Sequence, residues 1–208
     1  MTETKIAKFL ETLPAPAELK KRAELTAAID SQVGSSYSFD ELFTTVEGAT
    51  VAHWDDGGGQ TLQMFFADDD ALVLVYDHEV STNFYGTDED APQQEALYEG
   101  TPEHLLRFAT NQEENYWGLN VELPDGTNVF ATSLVLWYTD GTWHYGEKFD
   151  ELTSNDEDGG LDYCFGHLLP QKETITAEDV KQAWEEHGYD EFEHQNIIEK
   201  EYDKIYNA

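Results

Sequence analysis

The sequence predicts an α+β fold: an antiparallel β-sheet meander with helices at its N- and C-terminal ends. Three observations carry that prediction. Helical apolar spacing marks the two ends of the chain. Between them, short apolar runs are cut by Gly- and Asp-rich turns, the pattern of successive hairpins. Hydrophobic residues make up 39% and aromatics 13% of the 208 residues, enough to fill a core and unlike an acidic disordered chain.

Taken in order, "ETKIAKFLETLP" sets Ile6, Phe9, Leu10 and Leu13 at i, i+3, i+4, i+7 and stops before Pro14, so it reads as a helix. "PAELKKRAELTAAIDSQV" follows as a second, with Leu19, Ala23 and Ile29 inward. "SFDELFTTV" fits one more helical turn or an entry into the sheet. "ATVAHW" and "TLQMFF" flank the turn "DDGGG" and read as a hairpin. "ALVLVYD" comes next, and its unbroken apolar run marks a central strand buried on both sides.

"TPEHLLRFATNQEENYW" reads as one inserted helix, with Thr101 as N-cap, Pro102 at the first position, and Leu105, Leu106 and Ala109 on one face. "GLNVEL", "NVFATSLVLWY" and "TWHYG" are three further strands, separated by "PDGT" and "TDGT". "FDELTSNDEDGG" reads as an acidic loop and "LDYCFGHLLP" as a short apolar patch. "TAEDVKQAWEEHG" carries helix signals at both ends, Thr176 as cap and Gly188 just past the last turn. "DEFEHQNIIEKEYDKIYN" closes the chain as a helix with Phe192, Ile198, Tyr202 and Ile205 available to pack. With no repeat and no linker, residues 1–208 read as a single α+β domain. Residues 1–46 are N-terminal helices, 47–147 the sheet, and 148–208 the acidic loop and C-terminal helices.

Charge dominates the composition. Forty-four acids against eleven bases leave −33. Residues 1–30 are balanced, whereas residues 31–147 hold 22 acids and one base, Arg107. Such self-repulsion opposes compaction and calls for a reason. Solvation is one, and salt adaptation is another, although lysines outnumber arginines nine to two. A cationic partner is the third. Direct nucleic-acid binding is disfavoured, because phosphates need Lys and Arg that the central region lacks. No apolar run approaches the length of a membrane span, and no leader-like apolar segment opens the chain, so a cytoplasmic protein is expected. The lone Cys164 excludes an intramolecular disulfide and a cysteine-based zinc site.

Few motifs carry chemistry. In "LVLVYDHEV" the strand runs into Asp77, His78 and Glu79. Were the strand to continue, Asp77 and Glu79 would face one side and His78 the other, which does not converge on one metal. The acids then end the strand and hydrogen-bond the following "STN" turn, with His78 buried or half-buried. Glu191 and His194 form one E-x-x-H pair without the second that a di-iron bundle needs. "SNDEDGGLD", from Ser154, imitates a calcium loop but places Phe165 where the bidentate glutamate belongs. "DDGGGQ" lacks the Gly-Lys-Ser/Thr of a phosphate loop. No catalytic residue, metal ligand or cofactor is assigned on these grounds.

The layout resembles a family of uncharacterised bacterial cytosolic proteins over roughly residues 10–147. The resemblance rests on "LPAPAELKKR", "YSF" at Tyr37–Phe39, the "DDGGGQ" turn, "DHE" closing a strand, and "LVLWYTDGTWHYG". Family members carry a serine after the "DHE", where Val80 stands here. The family supplies no activity to carry over. A looser likeness, in size, acidity and α+β character, is to immunity proteins of bacterial toxin systems.

The expected function is that of an acidic protein-binding module. It would be an immunity or inhibitor protein whose carboxylates occupy the basic site of a toxin, a nuclease or another nucleic-acid-binding protein, in the manner of a DNA mimic. Trp54, Asp55 and Asp56 of the first turn, Asp68, Asp69 and Asp70 of the second, Asp77, His78 and Glu79 at the strand end, and Asp88, Glu89 and Asp90 beyond are the candidate contacts. His53, Trp143, His144 and Tyr145 stand in or beside the hairpins as further aromatic anchors. The alternative is a small metal-assisted enzyme built on Asp77, His78 or Glu79 with a distant histidine, His53 or His144.

Overall fold

The computed structural model describes residues 4–34, 38–39, 43–44, 48–83, 91–110, 119–153, 158–166 and 172–207. Helix α1 (Lys5–Leu10) is capped by Thr4, whose hydroxyl accepts from the Ala7 amide at 3.2 Å. Helix α2 (Pro16–Val33) begins with proline and ends on Gly34 at φ +67°, the left-handed cap that glycine adopts without strain. Leu19, Ala23 and Ile29 are buried as their spacing predicts. The segment left open between helix and sheet enters the sheet. Strands β1 (Ser38–Phe39) and β2 (Phe43–Thr44) both pair with β3 (Thr50–Asp55), so the N-terminal unit is not wholly helical.

Beyond β3 come β4 (Gln60–Ala67) and β5 (Asp70–Asp77), then α3 (Ala91–Tyr98) and α4 (Glu103–Thr110). A separate ribbon of β6 (Asn120–Glu122) and β7 (Asn128–Phe130) precedes β8 (Leu134–Thr139) and β9 (Thr142–Tyr145). Four helices follow: α5 (Phe149–Leu152), α6 (Leu161–Gly166), α7 (Ala177–Glu186) and α8 (Phe192–Tyr206). The main sheet runs β1-β3-β4-β5-β8-β9 with every pair antiparallel and β2 alongside β1 on β3. This is an α+β fold with helices at both ends, and β5 is its buried central strand.

Register assigns the two faces. The row Trp54–Leu62–Val75–Leu134 faces the terminal helices, where Trp54 meets Tyr163 and Trp143 Nε1 donates to the Pro14 carbonyl at 2.9 Å. The row Val51–Phe65–Leu72–Trp137 faces the inserted elements, and Phe65 stacks on Phe108 of α4 and meets Phe130 of β7. One cluster of buried apolar side chains runs from Ile6 to Ile198 through both faces.

Five sequence expectations are corrected. The insert holds two helices, because α3, poor in apolar periodicity, is anchored by Tyr98 donating to the Phe130 carbonyl at 2.7 Å. Thr101 does not cap α4. The Pro102 carbonyl accepts from Leu106 instead, and the Thr101 hydroxyl has no hydrogen-bond partner among the described residues. "NVFATSLVLWY" breaks into two strands at residues 131–133, where the Thr132 and Ser133 hydroxyls both donate to the Val75 carbonyl. Phe192 is 82% exposed, while Ile198 packs in the core with Tyr202 and Ile205 at its margin. Part of the acidic loop is helical (α5); its residues 154–157, with most of the calcium-like segment, lie outside the described residues. No described helix is long and apolar enough to cross a membrane.

One buried charge ties the chain's ends together. Arg22, 2% exposed, pairs with Glu18 at 2.9 Å and donates to the carbonyls of Lys172 and Glu173, while Tyr206 donates to Glu18 at 3.0 Å. Removing the guanidinium takes this donor from both carbonyls and leaves the half-buried Glu18 carboxylate with Tyr206 alone. Arg22→Leu is therefore expected to cost about 2–4 kcal/mol in urea unfolding, with secondary structure retained.

At the α7 cap, Thr176 and Asp179 form a reciprocal capping box. Lys172 first, then the Thr176 amide and hydroxyl, hold the Asp179 carboxyl down to about 2 from its ordinary 3.8. A depressed carboxyl stabilises the fold above its unfolded pKa and ceases to do so as pH falls through the folded value. Asp179→Ala should thus lower Tm at neutral pH, with the gap to the wild type closing as the pH falls from about 5 to 2.

Candidate functional site

The candidate contacts divide between opposite ends of the sheet. Successive turns of a meander alternate ends, and β4 separates Asp55 and Asp56 from Asp68 and Asp69 by roughly 23 Å. They cannot form one face. Asp68, Asp69 and Asp70 share the far end with Asp140 of the β8–β9 turn, because Ala71 pairs with Tyr138. There Asp70 pairs with the exposed His104 at 2.7 Å. Asp88, Glu89 and Asp90 lie outside the described residues.

The near end gathers the rest. Asp55 Oδ1 accepts from the Gly57 amide at 2.6 Å. Asp56 Oδ1 accepts from Gly58 and Gln60 at 2.7 and 3.0 Å. These bonds hold the glycine turn and fix both carboxylates. Asp56 Oδ2 then accepts from the Tyr163 hydroxyl of α6 at 3.1 Å. Two more acids arrive with α6: Asp158 takes the Gly160 amide at 3.0 Å, and Lys5 bridges Asp158 and Asp162. Hydrogen bonds to those two carboxylates raise the Lys5 pKa.

Asp77 is the keystone of this end and not a surface contact. It is 7% exposed, and its Oδ1 accepts from Gln60 Nε2 at 3.1 Å and the Glu79 amide at 2.9 Å. Its own amide donates to Ser133 Oγ at 3.1 Å. Gly160, at φ +94°, packs so closely that a Cβ there would lie 2.6 Å from Asp77 Cβ. The strand ends here, as the sequence predicts, but Asp77 bonds the Glu79 amide and not the expected "STN" turn, where Asn83 donates instead to the His78 carbonyl. His78 departs from expectation. It is exposed, with Nδ1 3.3 Å from the Gly59 carbonyl and Nε2 3.9 Å from Glu79.

Trp54 also departs, since its face-inward register leaves it 1% exposed. His53 and Trp143 are likewise buried, whereas His144 and Tyr145 are half-buried beside a cleft at the β9 edge. The exposed aromatic of the near end is Tyr163, 38% exposed, with Trp54 tilted behind it at 6.2 Å. Sequence reasoning missed Tyr163, Asp158 and Asp162, because Tyr163 reaches Asp56 across 107 residues, the two acids reach Lys5 across more than 150, and no local signal announces either contact.

The metal-assisted arrangement is not assembled by the described residues. Register sets His53 two strands and three residues from Asp77, roughly 14 Å, and His144 two strands away on the other side, roughly 19 Å. No group of three or more His, Cys, Asp or Glu side chains among the described residues is placed to hold a metal ion. Cys164 is 3% exposed, and burial first, then Asp77, Asp56 and Asp158, push its thiol pKa far up, which disfavours the thiolate.

No protein-family model, curated protein or solved structure matches this chain. The roles of these residues therefore rest on their geometry alone.

A division of labour within the strand-end triplet is testable. Asp77→Ala strands Gln60 and the Glu79 amide and should cost about 1–3 kcal/mol in chemical unfolding. Glu79→Gln and His78→Ala should stay within about 0.5 kcal/mol of the wild type, as exposed substitutions do.

Proposed function

We propose that this chain is a binding protein for a cationic protein partner, of the immunity or inhibitor kind, and that the near end of the sheet is its contact face. The observation that carries the reading is the arrangement there. Asp56 accepts from the hydroxyl of the exposed Tyr163, Asp158 and Asp162 belong to the same segment as that ring and share Lys5, and Asp55 and Glu79 stand at the neighbouring strand ends; backbone donors or Lys5 already fix all but Glu79. Carboxylates held before contact lose little entropy on binding, and an exposed aromatic beside fixed carboxylates is the composition of an interface anchor. Lys5 is the cation bridging this group, so a partner's lysines or arginines meet acids with spare acceptor capacity.

The whole-chain charge of −33 adds long-range attraction, which speeds encounter with a basic protein and fades as salt screens it. A basic toxin, a nuclease or a nucleic-acid-binding protein has the matching surface. A chain this acidic repels nucleic acid itself.

The test is an affinity pull-down from the native host's lysate, washed at low and then high salt, with the eluate identified by mass spectrometry. A basic protein is expected to be retained stoichiometrically and to leave as salt rises. Combining Asp55→Lys, Glu79→Lys and Asp162→Lys, all at exposed positions, should weaken its binding at least about tenfold, mainly through slower association. Unchanged affinity in that folded variant removes the near end as the contact face.

A further inference from the structure

β9 ends the main sheet, and the side of it turned away from β8 faces a cleft of about 550 Å3. The Asp140–Gly141 turn, with φ +52° and +81°, joins Thr139 and Thr142 in a two-residue hairpin. Antiparallel alternation then directs the amide and carbonyl of Thr142 and His144 toward β8, and those of Trp143 and Tyr145 outward. Among the described residues, no strand pairs with that outer side. An open edge of this kind is a template for another strand, and proteins normally blunt it with lysine, proline or a cover. β9, "TWHY", has none of those residues.

The walls are chemically distinct. On one side stand Leu10 and Glu11 of α1; on the other, His144 stacks on Trp137 at 5.9 Å, below Gly100. Gly100 adds no side chain over the Trp137 rim, its Cβ position being 3.5 Å from that ring. Glu147 lies at the end of the strand, and the lining holds no Lys or Arg.

We infer that the β9 edge is a strand-addition site for an extended, cationic segment of a partner protein. The segment would pair its backbone with Trp143 and Tyr145. Alternate side chains would turn a Lys or Arg toward Glu11 or Glu147, and an apolar group toward Trp137 and His144. Charge decides against a second copy of this chain: two such edges would bring four carboxylates together between bodies of −33 each. The inference rests on the reading that the chain captures a cationic protein, and it adds how part of that partner is held.

The probe is a fluorescent octapeptide of alternating lysine and valine, titrated against the whole protein by anisotropy. Its twin, methylated at every backbone nitrogen, keeps the charge and loses every strand donor. The expected result is that the parent peptide binds, and the twin binds at least about tenfold more weakly, for want of two or three hydrogen bonds. Glu11→Gln with Glu147→Gln should weaken the parent severalfold, and the near-end triple lysine variant should bind it nearly as the wild type does.

Equal binding of parent and twin would reduce the effect to charge and overturn the proposal. So would failure of the parent to bind. Sedimentation showing a dimer that the peptide disperses would assign the edge to a second copy and overturn it too. If the lysate partner is retained but the parent peptide does not compete with it, the edge proposal falls and the binding function stands. If the peptide binds the edge and no basic protein is retained, the binding function falls instead.

Discussion

Burial of both faces of the central strand is the constraint on which this structure depends. Ala71 to Val75 are all at most 3% exposed, and successive residues point to opposite sides, so neither face of the sheet can be left to water. A sheet of this kind needs two covers. The chain supplies one from its ends, α1, α2 and the helices after β9. The other comes from the insertion between β5 and β8, which brings Phe108 and Phe130 onto Phe65. The hinge of that insertion is polar. Thr132 and Ser133 take the Val75 carbonyl, and Ser133 also takes the Gly159 carbonyl at 2.6 Å, so the end of β5 is stitched to both covers at once. Asp77 continues the same seam.

This interior has to withstand a surface that repels itself. Two carboxylates 10 Å apart in water repel by about 0.4 kcal/mol before salt screens them, against roughly 2 kcal/mol for burying one leucine. Scattered acids are therefore tolerable, whereas four or five held close together cost as much as a core side chain. The near end accepts that cost and offsets only part of it, through Lys5 and the turn amides. Arg22, by contrast, is spent inside, on carbonyls of the C-terminal segment. Arg22 thus serves the fold, while lysines such as Lys5, Lys148 and Lys172 pair with acids at the surface.

The elements most legible in the sequence were those whose signals are local. The helix spacing of Ile6 and Phe9, the glycine turn before Gln60, the apolar run of β5 and the Thr176 cap all act within a few residues, and all stand where that reading puts them. Elements fixed by distant contacts were not. α3 has little periodicity and is held by Tyr98 reaching β7. The break at Thr132 and Ser133 answers to Val75, more than fifty residues earlier. The candidate contacts were legible only in part for the same reason. The acids of both turns are plain in the sequence, but which acids share an end of the sheet follows from strand pairing. That Tyr163 stands beside Asp56 follows from the placement of α6.

Geometry also separates the explanations for the acidity. Carboxylates that serve only to hold water need no fixed orientation and gain nothing from one. Asp55 and Asp56 are each tied by one oxygen to backbone amides of their own turn, Asp56 by its second to Tyr163, and Asp158 to Gly160 and Lys5. Ordering them costs entropy that solvation does not repay. The far-end turn shows the contrast: Asp68 and Asp69 are exposed, and among the described residues Asp70 alone has a side-chain partner there, His104. Fixed orientation at one end and not at the other fits the proposed contact face better than a uniform coat of charge does.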